Sequence, residues 1–460
     1  MLEVSSIFLS IALLIFFAYR GFSVLLLAPF LALTAVFLSG DESLLAHYTQ
    51  IFMVKLGDFV TVYFPLFLLS AIFGKIMESS GSARSIAEYV SDKMGSENAI
   101  LAVVLSCSVL TYGGVSLFVV AFAVYPIAVA LFRKSDTPKR LIPGAIALGS
   151  FTFTMVAFPG TPAIQNAIPA QYFGTNTFAA PGIGFISGII MFALGMLWLK
   201  NQLKTARKNL EGYGTHDDKV IAMFRKDLPR FWVAISPVII VILMNYLSVK
   251  FVFPNMDTSY LEQEKYGVID IKTVASNWAI IISVFFALTF LVACHYKKID
   301  ITKCLNTGAV DALVPIFNTA SVVGYGAVIN SLPGFAMLRD GVLSMSSGNP
   351  LISGTCVTGI LSAVTGSASG GLSISLEMMG AKLLEMANSS GIAPEILHRI
   401  ICLASSTLHA LPHNGAIITL LVICGLSHRD SYKDIFVIAL LNTCIATIAA
   451  LVLYGMLGVF

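Results

Sequence analysis

Apolar segments long enough to cross a lipid bilayer recur along almost the whole chain. They begin at Ile7 and continue to the C-terminal Phe460, and the longest polar segment between them covers only residues 200–230. Because a membrane-spanning helix needs about 20 mainly apolar residues, the chain offers many spans and no room for a sizeable soluble domain. Of the 460 residues, 57% are hydrophobic and 12% are charged, which is typical of an integral membrane protein.

The composition also excludes several classes of function. The seven cysteines contain no CxxC pair and show no metal-ligand spacing, so we expect neither a disulfide framework nor a metal site. A net charge of +3 is too small to imply binding to nucleic acid. No GxxxxGK[ST] motif is present, so an ion gradient is the expected energy source, with no cofactor.

The distribution of charged residues predicts the orientation. Basic clusters occur at residues 133–140, 200–230, 297–303 and 429–433, and the positive-inside rule assigns them to the cytoplasm. The segment 255–270 carries four acidic residues and one lysine, so it is predicted to be external. We therefore expect a multi-pass protein of the bacterial inner membrane.

Residues 99–132 form an apolar stretch that Gly113 and Gly114 interrupt. Both flanks, a loop with Arg84 and Lys93 and the cluster after Arg133, are predicted to be cytoplasmic. The chain must then enter the membrane and return, which predicts a re-entrant hairpin of two half-length helices. The alternative is a single long span with a flexible kink.

The second half of the chain repeats these features. The segment "GGVSL" at 113–117 matches "GGLSI" at 370–374, and "TFTMVAFPGTPAI" at 152–164 matches "SSTLHALPHNGAI" at 405–417 with five identities in thirteen positions. The predicted fold is all-α and polytopic, with two inverted repeats of about five transmembrane helices plus one re-entrant hairpin and one broken helix each. The predicted boundaries are a first repeat at 1–199 (hairpin about 99–132, broken helix about 141–175), a cytoplasmic linker at 200–230 and a second repeat at 231–460 (hairpin about 350–388, broken helix about 396–426).

The prolines of the two matched segments explain why a membrane helix would break there. Pro159, Pro162 and Pro412, together with Gly415, interrupt the helical hydrogen bonds and leave amides and carbonyls without partners. Free amides at a helix N-terminus suit a carboxylate, and free carbonyls suit a cation. No permanently charged side chain is expected beside either break. The candidate substrate-binding residues are Gly113, Gly114, Ser116, Thr161, Gln165, Asn166, Ser367, Ser369, Gly370 and Asn414.

Two histidines, His409 and His413, lie on either side of Pro412. Histidine exchanges protons near neutral pH, so both are candidates for carrying a coupling proton. The alternative is that each is a helix-interface residue bonded to a neighbouring carbonyl. Glu377 is a further candidate, because carboxylates at membrane depth are usually functional or paired.

Three segments carry a resemblance to a known family: "YGGVSLFVVAFAVYPIAVALFRK", "FTFTMVAFPGTPAIQNAIP" and "GIAPEILHRI". The chain resembles the gluconate permease (GntP) family of the ion transporter superfamily, and more closely its D-beta-hydroxybutyrate permease branch. The resemblance implies a homodimer in which a mobile transport domain moves against a fixed scaffold as an elevator. It also implies an organic anion as substrate. The first break reads "AFPGTPAI" where gluconate carriers have a histidine, which favours a short monocarboxylate.

The function predicted from these features is proton-coupled symport of a small organic anion. The substrate is expected to be a short hydroxy or keto monocarboxylate such as 3-hydroxybutyrate, or a sugar acid such as gluconate. A sodium-coupled carboxylate symporter is the alternative, since backbone carbonyls at the breaks suit sodium. A channel would need rings of like charge, and a membrane-embedded enzyme would need a third metal ligand beside the two histidines; neither pattern is visible.

Overall fold

The computed structural model describes residues 2–20, 22–40, 43–115, 117–216, 228–337, 348–412 and 414–457, and all regular elements in these ranges are helices. Six of the described helices are long and apolar enough to cross a membrane by length and composition, and a seventh span arises if one bent pair is counted. The predicted all-helical, polytopic membrane fold is confirmed.

The helices that precede the polar segment contain two long spans, one hairpin and one broken helix. In chain order they are α1 (Leu2–Tyr19), α2 (Val24–Leu38), α3 (Leu44–Ser79), α4 (Ser82–Met94), α5 (Ala99–Tyr112), α6 (Leu117–Lys134), α7 (Leu141–Ser150), α8 (Phe153–Val156), α9 (Ile164–Phe173) and α10 (Pro181–Lys208).

The helices that follow the polar segment contain four long spans, a second hairpin and a second broken helix. They are α11 (Phe231–Asn255), α12 (Ile271–His295), α13 (Ile301–Ser331), α14 (Pro350–Thr365), α15 (Ala368–Ser389), α16 (Pro394–Ser405), α17 (Gly415–Cys424) and α18 (His428–Met456).

Two segments that the sequence predicted to be loops are helical. Arg84 and Lys93 lie on α4, which is amphipathic and buries Ala83, Ile86 and Ala87 on one face. The linker predicted to begin at Lys200 also begins as helix, because α10 continues to Lys208. Basic side chains in the last turn of α10 stabilise that extension by interacting with the helix dipole.

The second hairpin is formed by α14 and α15, and its turn follows from local sequence. Gly366 ends α14 in a left-handed conformation with φ of 58°, and the hydroxyl of Ser367 then accepts a hydrogen bond from the Gly370 amide to begin α15. In the first hairpin, α5 ends at Tyr112, and Gly114 has φ of 85° in the turn before α6.

The two matched glycine pairs have different structural roles. Gly113 and Gly114 lie in the turn between α5 and α6. Gly370 and Gly371 lie inside the first turn of α15 instead, after the hairpin turn itself. A Cβ atom on Gly371 would lie 2.2 Å from the Ser362 amide nitrogen, so this glycine allows α15 to approach α14 closely.

The N-terminal parts of both broken helices lie in the interior, whereas α17 exposes Val422 and other helices expose apolar side chains. Each residue of α7 is buried, as are residues 396–405 of α16, whereas Ile189 and Leu197 of α10 are 60% and 63% exposed. The second half of the first broken helix, α9, packs on both α15 and α16. This packing brings the second hairpin and parts of both broken helices together. A second group is formed by α2, α3, α12 and α13, in which α3 packs on α12 and α13, and α13 packs on α2. This group contacts the first through α13 on α15 and α12 on α9.

Candidate substrate site

A cavity of about 510 Å³ lies between the tip of the second hairpin, the second break and the first broken helix. The first broken helix contributes Phe151, Met155 and Gln165 to its wall. Of the predicted site residues, the cavity is lined by Gln165, Ser367, Ser369, Gly370, His409 and Asn414. Residues that are 240 or more positions apart, such as Gln165 and His409, therefore share one space.

The described wall of this cavity contains no aspartate, glutamate, lysine or arginine. Its polar groups are hydroxyls, amides and the His409 imidazole, and aromatic and aliphatic side chains such as Phe67 and Leu117 form the remainder. Sequence reasoning missed Asn318, a wall residue on α13. An asparagine inside an apolar span was the signal that could have indicated it.

His409 is 2% exposed, and its two ring nitrogens have different environments. Nδ1 lies 2.9 Å from the Ser406 carbonyl oxygen, which can only accept a hydrogen bond, so Nδ1 carries the proton in the neutral ring. Nε2 is buried and has no hydrogen-bond partner among the described residues. The neutral imidazole of this cavity-lining residue therefore keeps an unused lone pair on a buried nitrogen.

Asn414 supports the second break from within the chain. Its side-chain oxygen accepts hydrogen bonds from the amides of Ala416, at 2.7 Å, and Ile417, at 3.1 Å, which caps the N-terminus of α17. Its amide nitrogen donates to the His409 carbonyl oxygen at 2.9 Å. Asn414 thus links the capped helix to the histidine and still contributes to the cavity wall.

The tip of the second hairpin supplies hydroxyl groups. Ser367 and Ser369 are partly buried, and their hydroxyl oxygens lie 3.3 Å apart. Ser373, one turn further along α15, donates to the Ser369 carbonyl and does not line the cavity. Hydroxyls both donate and accept hydrogen bonds, so the tip suits a ligand with carboxylate, hydroxyl or keto oxygens.

The first hairpin and the first break contact each other away from the cavity. The Tyr112 hydroxyl donates to the Pro159 carbonyl at 2.6 Å, and a Cβ atom on Gly114 would lie 2.9 Å from Cγ of Pro162. Gly113, Gly114 and Thr161 are not among the residues that line the cavity, and Thr161 is fully buried.

Asn166 is also placed inside the protein and not in the cavity wall. Its amide nitrogen donates to the carbonyls of Thr161 and Thr177, and its oxygen lies 3.3 Å from Nε2 of His398. These contacts hold the unwound segment of the first break against α16. Two other candidates, Ser116 and His413, lie outside the described residues.

Glu377 lies outside the cavity as well, in an ion pair between α15 and α3. One carboxylate oxygen is 3.0 Å from Nζ of Lys55, and the other accepts a hydrogen bond from the Tyr172 hydroxyl at 3.0 Å. Both oxygens of Glu377 therefore have partners.

The expectation that neither break has a charged neighbour is wrong for the first break. Arg399 of α16 is fully buried, and its guanidinium donates hydrogen bonds to the carbonyls of Val156, Thr177 and Ala179. Val156 ends α8, so the arginine meets a helix C-terminus, where backbone carbonyls favour a positive charge.

Comparison with known proteins decides the family. The family model described as GntP family permease matches residues 2–457. The chain belongs to the GntP permease family. It is accordingly a membrane transporter and not an enzyme, and by homology it is a multi-pass protein of a bacterial cell membrane.

Two bacterial transporters have sequences similar to that of this chain. The chain is 42% identical over 472 aligned positions to the uncharacterized transporter YxjC of Bacillus subtilis, covering 99% of this chain and 100% of that protein. It is 32% identical over 178 positions to an uncharacterized transporter of Haemophilus influenzae, covering 38% of this chain and 40% of the other. The placement in the D-beta-hydroxybutyrate branch stays a prediction.

A solved structure shows the same type of fold. The YdaH transporter of Alcanivorax borkumensis, whose crystal structure was described as having an unusual topology, superimposes with a TM-score of 0.53. The alignment covers 90% of this chain and 89% of that chain at 14% sequence identity. At that identity the likeness concerns the fold alone.

Proposed function

We propose that this GntP family permease is a secondary transporter that moves a small organic monocarboxylate together with a proton. Family membership supports a secondary transporter of an organic anion. The observation that supports the proton is the unpartnered Nε2 of His409, a residue that lines a cavity whose described wall has no other titratable or charged side chain. The preferred substrates are short hydroxy or keto acids such as 3-hydroxybutyrate.

The proposed coupling follows from the cost of moving a charge. An anion that crosses a low-dielectric barrier alone carries a large desolvation penalty, and a co-transported cation reduces it. His409 takes a proton at Nε2 from the more acidic side, and the resulting imidazolium donates a hydrogen bond to the carboxylate. On the other side the proton and the anion leave together, and the ring returns to the neutral tautomer with its proton on Nδ1.

The proposed substrate class rests on the remaining polar groups. The hydroxyls of Ser367 and Ser369 and the amides of Gln165 and Asn318 supply donors and acceptors for a hydroxyl or keto oxygen, and the apolar wall suits a short alkyl chain. A space of about 510 Å³ also has room for a sugar acid such as gluconate. Gluconate therefore belongs in any test of the substrate.

The proposed mechanism is an elevator in a homodimer, as the family resemblance implies. The two hairpins and the two broken helices would form the mobile unit, because the second hairpin, α9 and α16 pack on one another. The scaffold would be the group of α2, α3, α12 and α13. In this arrangement α13 forms part of the boundary, since it packs on α2 and α3 as well as on α15.

The experiment that tests the proposal is uptake by proteoliposomes containing the full-length protein. Labelled 3-hydroxybutyrate, pyruvate, gluconate and a dicarboxylate would be supplied under separately imposed proton and sodium gradients. We expect uptake of short hydroxy or keto monocarboxylates that a proton gradient drives and a protonophore abolishes. Uptake that requires sodium and persists with a protonophore at clamped voltage would show that sodium, and not a proton, is the coupling ion.

A further inference from the structure

Three backbone carbonyl groups beside the first break surround the guanidinium of Arg399. Nη1 donates to Val156 O at 3.1 Å, Nη2 donates to Thr177 O at 3.2 Å and to Ala179 O at 2.9 Å, and Nε also donates to Ala179 O at 3.1 Å. The three carbonyls come from the end of α8 and from the segment before α10. Four hydrogen bonds thus tie α16 to two separate parts of the first repeat.

The backbone around the guanidinium is shaped to present these carbonyls. Ala180, directly after one acceptor, has φ of 41°, a left-handed conformation that costs about 1 kcal/mol or more for a residue with a side chain. At Gly184 there is no space for a side chain, because a Cβ atom would lie 2.4 Å from Ala157 O and 3.4 Å from Nε of Arg399. A strained residue and a close-approach glycine thus both accompany the contact with the guanidinium.

The charge of Arg399 has no negative partner among the described residues. No described carboxylate forms an ion pair with it, and its side chain is fully buried. A buried cation without a counter-ion is costly, so the surrounding dipoles must stabilise it. The carbonyls at the C-terminal ends of half-helices are the groups that coordinate a coupling cation in transporters built from broken helices.

We propose that the Arg399 guanidinium is a resident cation that occupies the carbonyl site of the first break, so that this break functions without a dissolved cation. The side chain supplies the positive charge that a bound sodium ion would otherwise supply to Val156, Thr177 and Ala179. This inference rests on the proposed function only in the choice of coupling ion. If Arg399 fills the first break, the transferable proton acts at the second break.

The first test measures the thermal stability of the purified full-length protein in detergent. Arg399→Ala is compared with the wild type and with Arg230→Ala, which removes an exposed arginine at the start of α11. We expect Arg399→Ala to lower the melting temperature by about 5 °C or more. Millimolar guanidinium or methylguanidinium should recover at least half of that loss, choline at equal concentration should not, and the other two proteins should not respond.

Two results of this measurement would overturn the inference. Arg399→Ala that melts like the wild type would mean that the carbonyls need no cation. The inference also fails if Arg399→Ala has a lower melting temperature and guanidinium, methylguanidinium and sodium each raise it no more than choline does. Arg399 would then stabilise the protein by packing and not as a cation.

If Arg399→Ala does not fold, two other substitutions test whether the positive charge is required. Arg399→Lys keeps a positive charge with fewer donors, and Arg399→Gln is neutral and of similar length. We expect proteoliposome uptake by Arg399→Lys to stay within about tenfold of the wild type and uptake by Arg399→Gln to fall about 100-fold. Equal losses in the two variants would overturn the inference.

The failure of this inference and the failure of the proposed function give different results. Sodium-dependent uptake by the wild type contradicts proton coupling even when guanidinium stabilises Arg399→Ala. Proton-driven uptake with no rescue of Arg399→Ala contradicts only the resident cation.

Discussion

The Nδ1 atom of His409 donates a hydrogen bond to the carbonyl oxygen of Ser406 at 2.9 Å. This single contact fixes the tautomer, because a carbonyl cannot donate, and it leaves Nε2 as the unpartnered acceptor of a residue that lines the cavity. The same residue thus has one nitrogen devoted to holding the unwound segment and one nitrogen available for a proton or a ligand. The first prediction follows from this division.

Replacing His409 by glutamine should abolish the pH dependence of uptake. Glutamine retains an N–H donor for the Ser406 carbonyl but has no nitrogen that can take up a proton. Wild-type uptake is expected to accelerate as the external pH falls, and the variant should be slower by about tenfold or more and insensitive to pH. His295→Gln is the matched control, because that histidine is also buried with neither ring nitrogen bonded to a described residue, yet lies outside the cavity. A normal pH profile in His409→Gln would contradict the assignment.

Asn414→Ala should reduce both stability and transport. Its side-chain oxygen caps α17 through two backbone amides, and loss of such a cap costs about 1 kcal/mol. Asn414→Ser keeps a capping oxygen and loses the donation to the His409 carbonyl, so we expect near-normal melting with reduced uptake. Melting curves and uptake of the two variants check this expectation. Unchanged melting in Asn414→Ala, together with lost uptake, would show direct contact with substrate in place of a capping role.

The sequence predicted much of the candidate site because breaks in a membrane helix have local causes. Pro159, Pro162 and Pro412 cannot donate backbone hydrogen bonds, so the positions of the unwound segments could be located from residue type alone. Ser367 and Ser369 lie between Gly366 and Gly370, which placed the hairpin tip within a few residues. These features depend on neighbours in the chain and are visible without tertiary structure.

The missed features depend on partners that are distant in sequence. Arg399 lies 220 positions from Ala179, and nothing near it in the chain indicates that a carbonyl will accept its hydrogen bonds. Asn318 carried a signal in the sequence, but an ambiguous one, since a polar residue in an apolar span can equally contact another helix. The matched glycine pair at Gly370 was placed at a turn because small residues serve both turns and close helix packing. Only the tertiary packing shows whether a glycine serves a turn or a close contact between helices.

Gly114→Ala should impair transport more than backbone strain alone explains. Gly114 has φ of 85°, and an added Cβ atom would lie 2.9 Å from Cγ of Pro162 at the first break. Gly40→Ala is the matched control, because Gly40 has φ of 87° with no heavy atom within 4 Å of the added carbon. Both variants should lose about 1 kcal/mol of stability from strain, and only Gly114→Ala should also lose uptake. Equal uptake by the two variants would argue that the contact between the first hairpin and the first break has no role in transport.

Glu211 should make an acid-sensitive contribution to stability on the polar side of the protein. The Arg140 guanidinium donates to both carboxylate oxygens, at 2.7 and 3.0 Å, and this hydrogen bonding lowers the pKa of Glu211. A lowered pKa in the folded state means that the stabilisation is present above the unfolded value of about 4.3 and is lost as the pH falls through the folded pKa. The wild type should melt above Glu211→Gln at pH 7, by no more than about 1 kcal/mol in this partly exposed pair, and the two should converge below about pH 4. A difference that persists at low pH would contradict this cause.

Glu377→Gln should leave proton-driven uptake intact. Its carboxylate contacts Lys55 of α3 and the Tyr172 hydroxyl of α9, outside the cavity, so removing its charge should disturb an inter-helix contact and leave the proposed proton site on His409 unaltered. Lys55→Met removes the other member of the pair, and the double variant should be no less stable than the less stable single variant. Because Lys55 is 42% exposed, the coupling energy from melting of the single and double variants should be only about 0.2–1 kcal/mol. The pH profile of uptake provides the decisive measurement: if it becomes flat in Glu377→Gln and stays steep in His409→Gln, Glu377 carries the proton and the assignment to His409 is wrong.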